Sequence, residues 1–139
     1  FPTVLDIIGF PPLPLCPDHP DGLPLCVEGI SLMPLLKNPQ KKPWKERVFW
    51  QARWNSDNRG SYIGHTIRTS RYRYSEWIEM THGPPRIWPK PHARELFDKL
   101  SDPWENHNLA NDPEYEGVVQ VLSPLLHSGS KAALPRDLN

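Results

Sequence analysis

Apolar residues along this chain come in short phased runs, each cut off by a proline-rich stretch. In the first run, residues 1–9, Val4, Leu5 and Ile8 fall at the spacing of one helix face. Gly9 is placed to cap that helix, and Pro11 and Pro12 forbid its continuation. Residues 11–27 read as a loop, residues 28–36 as one or two helical turns, and residues 38–43 as a polar, basic connector. Alternation then takes over. Over residues 46–54, Val48, Trp50, Ala52 and Trp54 point one way and Arg47, Phe49, Gln51 and Arg53 the other. Residues 55–60 carry the turn. Residues 61–69 alternate again, with Ile63, His65 and Ile67 on one face, and Ser70 and Arg71 link tightly to a third, aromatic strand over residues 72–80.

Residues 82–92 form another proline-rich loop, residues 94–100 a short strand and residues 102–112 a turn-rich segment. Asp112 followed by Pro113 supplies a helix cap and a first helical residue. Val118, Val121, Leu122 and Leu125 then predict an amphipathic helix with those four facing the core, which Pro124 should kink or end. Residues 128–139 read as a loose tail. Short links between consecutive strands favour an antiparallel meander. The predicted fold class is α+β, a small antiparallel sheet of about four strands packed with a C-terminal helix. The first helix and the cysteine-bearing loop need not share the sheet's core.

Composition narrows the function classes. The 139 residues include 18 prolines, which break the chain into short elements. Sixteen basic and sixteen acidic residues cancel, which opposes a dominant polyanion-binding field. Arg68, Arg71 and Arg73 beside Tyr72 and Tyr74 could stack nucleic-acid bases, but balanced charge and the lack of a basic run oppose it, so no nucleic-acid partner is expected. No apolar run approaches the roughly 18 residues of a membrane span. The apolar start lacks a basic leader region and carries Asp6, so it reads as a core helix of a longer protein rather than a signal peptide.

Candidate chemistry is sparse. In a secreted setting Cys16 and Cys26 read as a disulfide; in a cytosolic one they are two free thiols, and a zinc site lacks ligands because His19 alone is near. Asp102, Glu105, Asn106, His107 and Asn108 have the composition of a metal cluster and also of a turn whose side chains bond local backbone. His65, in phase with Ile63 and Ile67, reads as a hydrogen-bonded core residue. No Asn-x-Ser/Thr glycosylation sequon occurs.

Three segments in order resemble the C-terminal third of the sulfatase family. Phe1-Pro2-Thr3-Val4-Leu5-Asp6-Ile7-Ile8-Gly9 is similar to the helix that ends the catalytic domain. Glu28-Gly29-Ile30-Ser31-Leu32-Met33-Pro34-Leu35-Leu36 resembles the family's D-G-x-S-L-x-P-L-L segment. Glu95-Leu96-Phe97-Asp98, then Asp102-Pro103-Trp104-Glu105-Asn106 and Asn108-Leu109, resembles its E-L-Y-D-L-x-x-D-P-x-E-x-x-N-L signature. Ile67-Arg68-Thr69 and Tyr72-Arg73-Tyr74 resemble the paired strands before that signature. The cysteine pair and Trp54-Asn55-Ser56-Asp57 are similar to the members that remove 2-O-sulfate from iduronate, and there the two cysteines form a disulfide. Residues 81–92 depart from that pattern.

The resemblance implies an alkaline-phosphatase-like parent enzyme. Residues 1–44 would close its catalytic domain, residues 45–128 would form the C-terminal subdomain, and residues 129–139 a flexible tail. It implies sulfate-ester hydrolysis by a formylglycine made from the cysteine of C-x-P-S-R, with a calcium ion held by oxygen ligands. Neither cysteine here stands in C-x-P-S-R, so the catalytic and metal-binding groups are expected in the catalytic domain and none in this chain. The expected partners are that catalytic domain or heavy chain and a sulfated glycosaminoglycan, heparan or dermatan sulfate, in a lysosomal or secreted setting. Arg53, Trp54 and Asn55 are the substrate-binding candidates: a ring face for a sugar, a fork for sulfate or carboxylate, and an adaptable amide. The competing role for Trp54 is core packing with Val48 and Trp50.

Overall fold

The computed structural model describes residues 1–17, 25–41, 44–56, 60–80 and 88–134. They fall into two compact units, built on Phe1–Trp44 and on Lys45–Ala133.

In the first unit, helix α1 spans Pro2–Ile7. Gly9 takes a φ of 74°, and the Phe10 and Gly9 amides donate back to the Leu5 and Asp6 carbonyls. That left-handed turn is why the helix stops at a glycine. Helix α2, Met33–Lys37, begins with proline in its first turn. The Ser31 hydroxyl donates to Asp6 at 2.6 Å and the Leu32 amide to the Thr3 hydroxyl at 3.0 Å, so polar residues of two sequence segments stitch α1 to α2. Cys16 and Cys26 form a disulfide, next to a short parallel bridge between Leu15 and Val27. Residues 18–24, inside that loop, lie outside the described residues.

The second unit is the α+β body that the alternation predicts. Strands β1 (Val48–Ser56), β2 (Gly60–Arg68), β3 (Tyr72–Glu79) and β4 (Ala93–Asp98) form one antiparallel sheet in sequence order. Register sorts the side chains into two faces. Phe49, Ile67, Tyr74 and Leu96 make one row across the sheet, and Gln51, His65, Glu76 and Arg94 the next. Helix α3, Glu116–His127, covers this face. Ile67, Tyr74 and Leu96 are fully buried beneath Val119, Leu122 and Leu126 of α3, with Ala110 alongside. On the opposite face Ala52, Gly64, Trp77 and Ala93 share a row. Gly64 is required there, because a Cβ would stand 2.9 Å from the Trp77 ring.

Three expectations change. The buried stripe of α3 is Val119, Leu122 and Leu126, while Val121 is 61% exposed. Both stripes fit a 3.6-residue period, and packing on the sheet selects between them. Pro124 neither ends the helix nor faces the core: it and Gln120, whose carbonyl loses its partner, are both solvent-exposed, so water can satisfy that group. Residues 130–133 form a 3₁₀ turn against β1 and Ala133 is buried, so any loose tail starts after them.

The signature after β4 closes the sheet edge. The Asn108 side-chain oxygen accepts from the Leu96 and Ala110 amides at 3.0 Å each, and its amide donates to the Arg94 carbonyl at 3.0 Å. Asp112 caps the next turn by accepting from the Glu114 amide at 2.9 Å.

The helix phase gives a direct test in urea denaturation. Leu126→Ala should destabilise by about 2–5 kcal/mol through lost burial and a residual cavity. Val121→Ala should stay within about 0.5 kcal/mol. Equal losses would mean that the helix is rotated from the phase described.

Candidate functional site

The candidates Arg53, Trp54 and Asn55 sit at the far end of β1, near the β1–β2 turn. The expected turn at Asn55 comes later, because β1 pairs with β2 through Ser56. Alternation therefore continues and separates the three. The Arg53 guanidinium donates from Nε to Asn55 Oδ1 at 3.2 Å on the helix-covered side. Trp54 turns to the open side, where it stacks on its cross-strand partner Tyr62 at 5.6 Å between centroids. Tyr62 in turn meets the His92 ring at 4.8 Å. Trp54, Tyr62, Trp77, His92, Ala93 and Glu95 line a shallow groove there. Trp54 is 48% exposed and Trp50 61% exposed, so the Val48, Trp50, Trp54 set that could have been core is an uncovered apolar surface.

The helix-covered side holds a second polar constellation, centred on Glu76, which is 2% exposed. Its Oε1 accepts from the Tyr74 hydroxyl at 2.8 Å and the Ser123 hydroxyl at 2.7 Å. Its Oε2 accepts from the Trp88 indole at 2.6 Å and meets His127 Nε2 at 2.9 Å. The Trp88 ring lies between His65 at 4.6 Å and His127 at 4.3 Å. The Gln51 amide donates to His65 Nδ1 at 3.1 Å, which leaves the neutral ring's proton on Nε2. Burial lowers the pKa of His65. Serine, histidine and glutamate so placed suggest a hydrolytic triad, but the geometry opposes it. Ser123 and Glu76 both meet the same histidine nitrogen, Nε2, at 3.4 and 2.9 Å. A triad needs the base to use opposite nitrogens. Sequence reasoning passed over Glu76; the available signal was a carboxylate in phase with Tyr74 and Ile78 on a core-facing strand row.

The acidic residues around the C-terminal signature are engaged internally. Arg71 grips Asp98 through Nε at 3.1 Å and Nη2 at 2.7 Å, and the Leu100 amide donates to the same carboxylate. Asp102 accepts from the His107 amide at 2.9 Å. Glu105, held at a φ of 59°, pairs with Arg73 at 2.7 Å and Lys99 at 3.1 Å. The Arg73 guanidinium also lies over the Phe97 ring. Each carboxyl is held below its ordinary pKa: Asp98 by Arg71, Asp102 by the His107 amide, and Glu105 by Arg73. Among the described residues no group of three or more His, Cys, Asp or Glu side chains could hold a metal ion.

A family model described as N-sulphoglucosamine sulphohydrolase, C-terminal, matches residues 20–132. The chain belongs to this family of sulfatase C-terminal domains. Iduronate 2-sulfatase of Mus musculus is 31% identical over 146 residues, covering 89% of this chain and 26% of that protein. Delta 4,5-hexuronate-2-O-sulfatase of Bacteroides thetaiotaomicron is 28% identical, covering 90% of this chain and 21% of that protein. This chain thus spans about a quarter of the length of the relatives it matches. In structure it is similar to the phosphonate monoester hydrolase of Agrobacterium radiobacter, with a TM-score of 0.60 and 23% identity over 92% of this chain and 23% of that one. That likeness shows a shared fold over less than a quarter of the neighbour's length.

In this sulfatase domain the lowered carboxyl pKa values tie stability to pH. A group whose folded pKa is depressed contributes its full stabilisation above the unfolded value and loses it as pH falls through the folded one. Asp98→Asn should therefore be less stable than the parent near neutral pH, and the gap should close in acid as the parent's Asp98 protonates. Chemical denaturation at a series of pH values measures this, and a gap that stays constant into strong acid would contradict the assignment.

Proposed function

We propose that this chain is the C-terminal portion of a sulfatase that removes 2-O-sulfate from iduronate at the ends of heparan or dermatan sulfate. The observation that carries the substrate is the 31% identity to iduronate 2-sulfatase across 89% of the chain. It is supported by the disulfide between Cys16 and Cys26 and by the segment Trp54-Asn55-Ser56-Asp57, both of which resemble that enzyme. The bacterial hexuronate-2-O-sulfatase supports a second reading, in which the same position carries sulfate on an unsaturated hexuronate. Both readings place the sulfate on a uronate 2-position.

The nucleophile and the calcium ion belong to a catalytic body outside this chain. Calcium there would neutralise sulfate oxygens as a hard Lewis acid. The role of this chain is structural and substrate-facing. Val48 and Trp50 offer apolar area to pack on the catalytic domain, which as a heavy chain could remain bound after proteolytic processing. At the end of β1 Trp54 offers its ring face to a sugar, while Arg53 and Asn55, on the other face of the strand, would meet a sulfated chain only where it passes around the strand end. The secretory route and the lysosome fit the disulfide and the relatives. A different sulfatase, acting on another sulfated sugar or an aryl sulfate, and a stand-alone β-sheet interaction module are the remaining alternatives, the module disfavoured by the family match across residues 20–132.

The intact enzyme that carries this chain should release sulfate from 2-O-sulfated uronate ends and leave N-sulfated glucosamine ends untouched; the reverse preference would overturn the assignment. In that enzyme Trp54→Ala should raise KM roughly fivefold to tenfold, the value of one aromatic stacking contact, with kcat changed less. An unchanged KM would assign Trp54 to packing alone.

A further inference from the structure

The constellation around Glu76 has a property that the sulfatase reading neither needs nor supplies. One buried carboxylate gathers donors from three separate places: Tyr74 on its own strand, Ser123 and His127 on α3, and Trp88 on the segment preceding β4. Sequence separations of 47 and 51 residues to Ser123 and His127 make it a long-range tie between helix and sheet. The groups facing it are Gln51 from β1, His65 from β2, Tyr74 from β3, Arg94 from β4 as its cross-strand partner, and Ser123 and His127 from α3.

We propose that Glu76, His127 and Trp88 form a proton-operated clasp, which holds Trp88 and the last turn of α3 on the sheet while the carboxylate is ionised and releases them when it is protonated.

The chemistry follows from the count of donors and lone pairs. Each oxygen of the ionised carboxylate already serves two donors. A proton added to either oxygen turns an acceptor site into a donor, so at least one of those four contacts must break or reverse, and the Trp88 indole, which can only donate, cannot reverse. On the Oε2 side the groups that lose are Trp88 and His127. Burial works to raise the Glu76 pKa, but the hydrogen bonds from His127, Ser123, Tyr74 and Trp88 together hold it below its ordinary value. Tyr74 is pushed upward by burial and by its bond to Glu76, so it remains a donor throughout the acid range. His65, lowered by burial, faces the same carboxylate, whose charge favours its protonated form. The clasp is closed near neutral pH and opens as pH falls through the depressed Glu76 value.

The indole N–H resonance of Trp88 reads the clasp in the full 139-residue chain, with Trp88→Phe used to assign it among the six tryptophans. On acidification that resonance should lose its hydrogen-bonded shift and its protection from solvent exchange in a one-proton step below the ordinary carboxylate range, before the other indoles move. His127→Asn shortens the side chain so that its hydrogen bond to Glu76 is lost, and should move the step upward. Glu76→Gln should abolish the step. If Glu76→Gln does not fold, His127→Asn decides alone. An unmoved step in His127→Asn, a surviving step in Glu76→Gln, or loss of every indole signal together with that of Trp88 would each overturn the proposal.

Discussion

A charged carboxylate enclosed by protein must be met by donors on all sides, because leaving one uncompensated costs several kcal/mol. Glu76 imposes that requirement on the sheet unit. Its four donors come from β3, α3 and the Trp88 segment, so helix and sheet can close together only in the one arrangement that satisfies them. Apolar contact between Leu122, Leu126 and the Ile67–Tyr74–Leu96 row supplies most of the attraction. The carboxylate supplies uniqueness: a slid or rotated helix would keep much of its apolar burial and lose Ser123 and His127 as donors.

With one face of the sheet closed in this way, the other is left as a surface. There Trp50, Trp54 and Val48 stand exposed, and Trp77 lies flat over Gly64. So much uncovered aromatic area is unusual for a protein surface and suits a domain built beside something larger. The catalytic body of a sulfatase, proposed above as the partner of this chain, is an occupant that such a surface suits. The carboxylates of the C-terminal signature fit the same division of labour. Asp98, Asp102 and Glu105 are spent on Arg71, the His107 amide and Arg73, where they lock the edge of the sheet.

Much of the architecture was legible in the residues. Period-two alternation through Ile63, His65 and Ile67 marked β2, short links implied the meander, and Asp112–Pro113 announced the last helix. The phase of that helix was not legible, since Val118, Val121 and Leu125 fit helical spacing as well as Val119 and Leu126 do, and only the sheet beneath distinguishes them. Nor could apolarity decide which face of β1 is closed: Trp50 and Trp54 look more like core than Phe49, yet Phe49 is the residue that packs on it. The candidate trio Arg53, Trp54 and Asn55 was grouped by adjacency in sequence. Adjacency places side chains on opposite faces wherever a strand continues, and β1 continues to Ser56. Glu76 was overlooked because its partners arrive from distant segments that no local pattern connects.

Native-state amide hydrogen exchange on the chain measures whether α3 and the sheet close as one cooperative unit. The Leu122 and Leu126 amides should exchange with the same opening free energy as the central amides of β3, around Tyr74 and Glu76. Exchange of the helix amides through a separate opening of much lower free energy, with β3 still protected, would contradict the account.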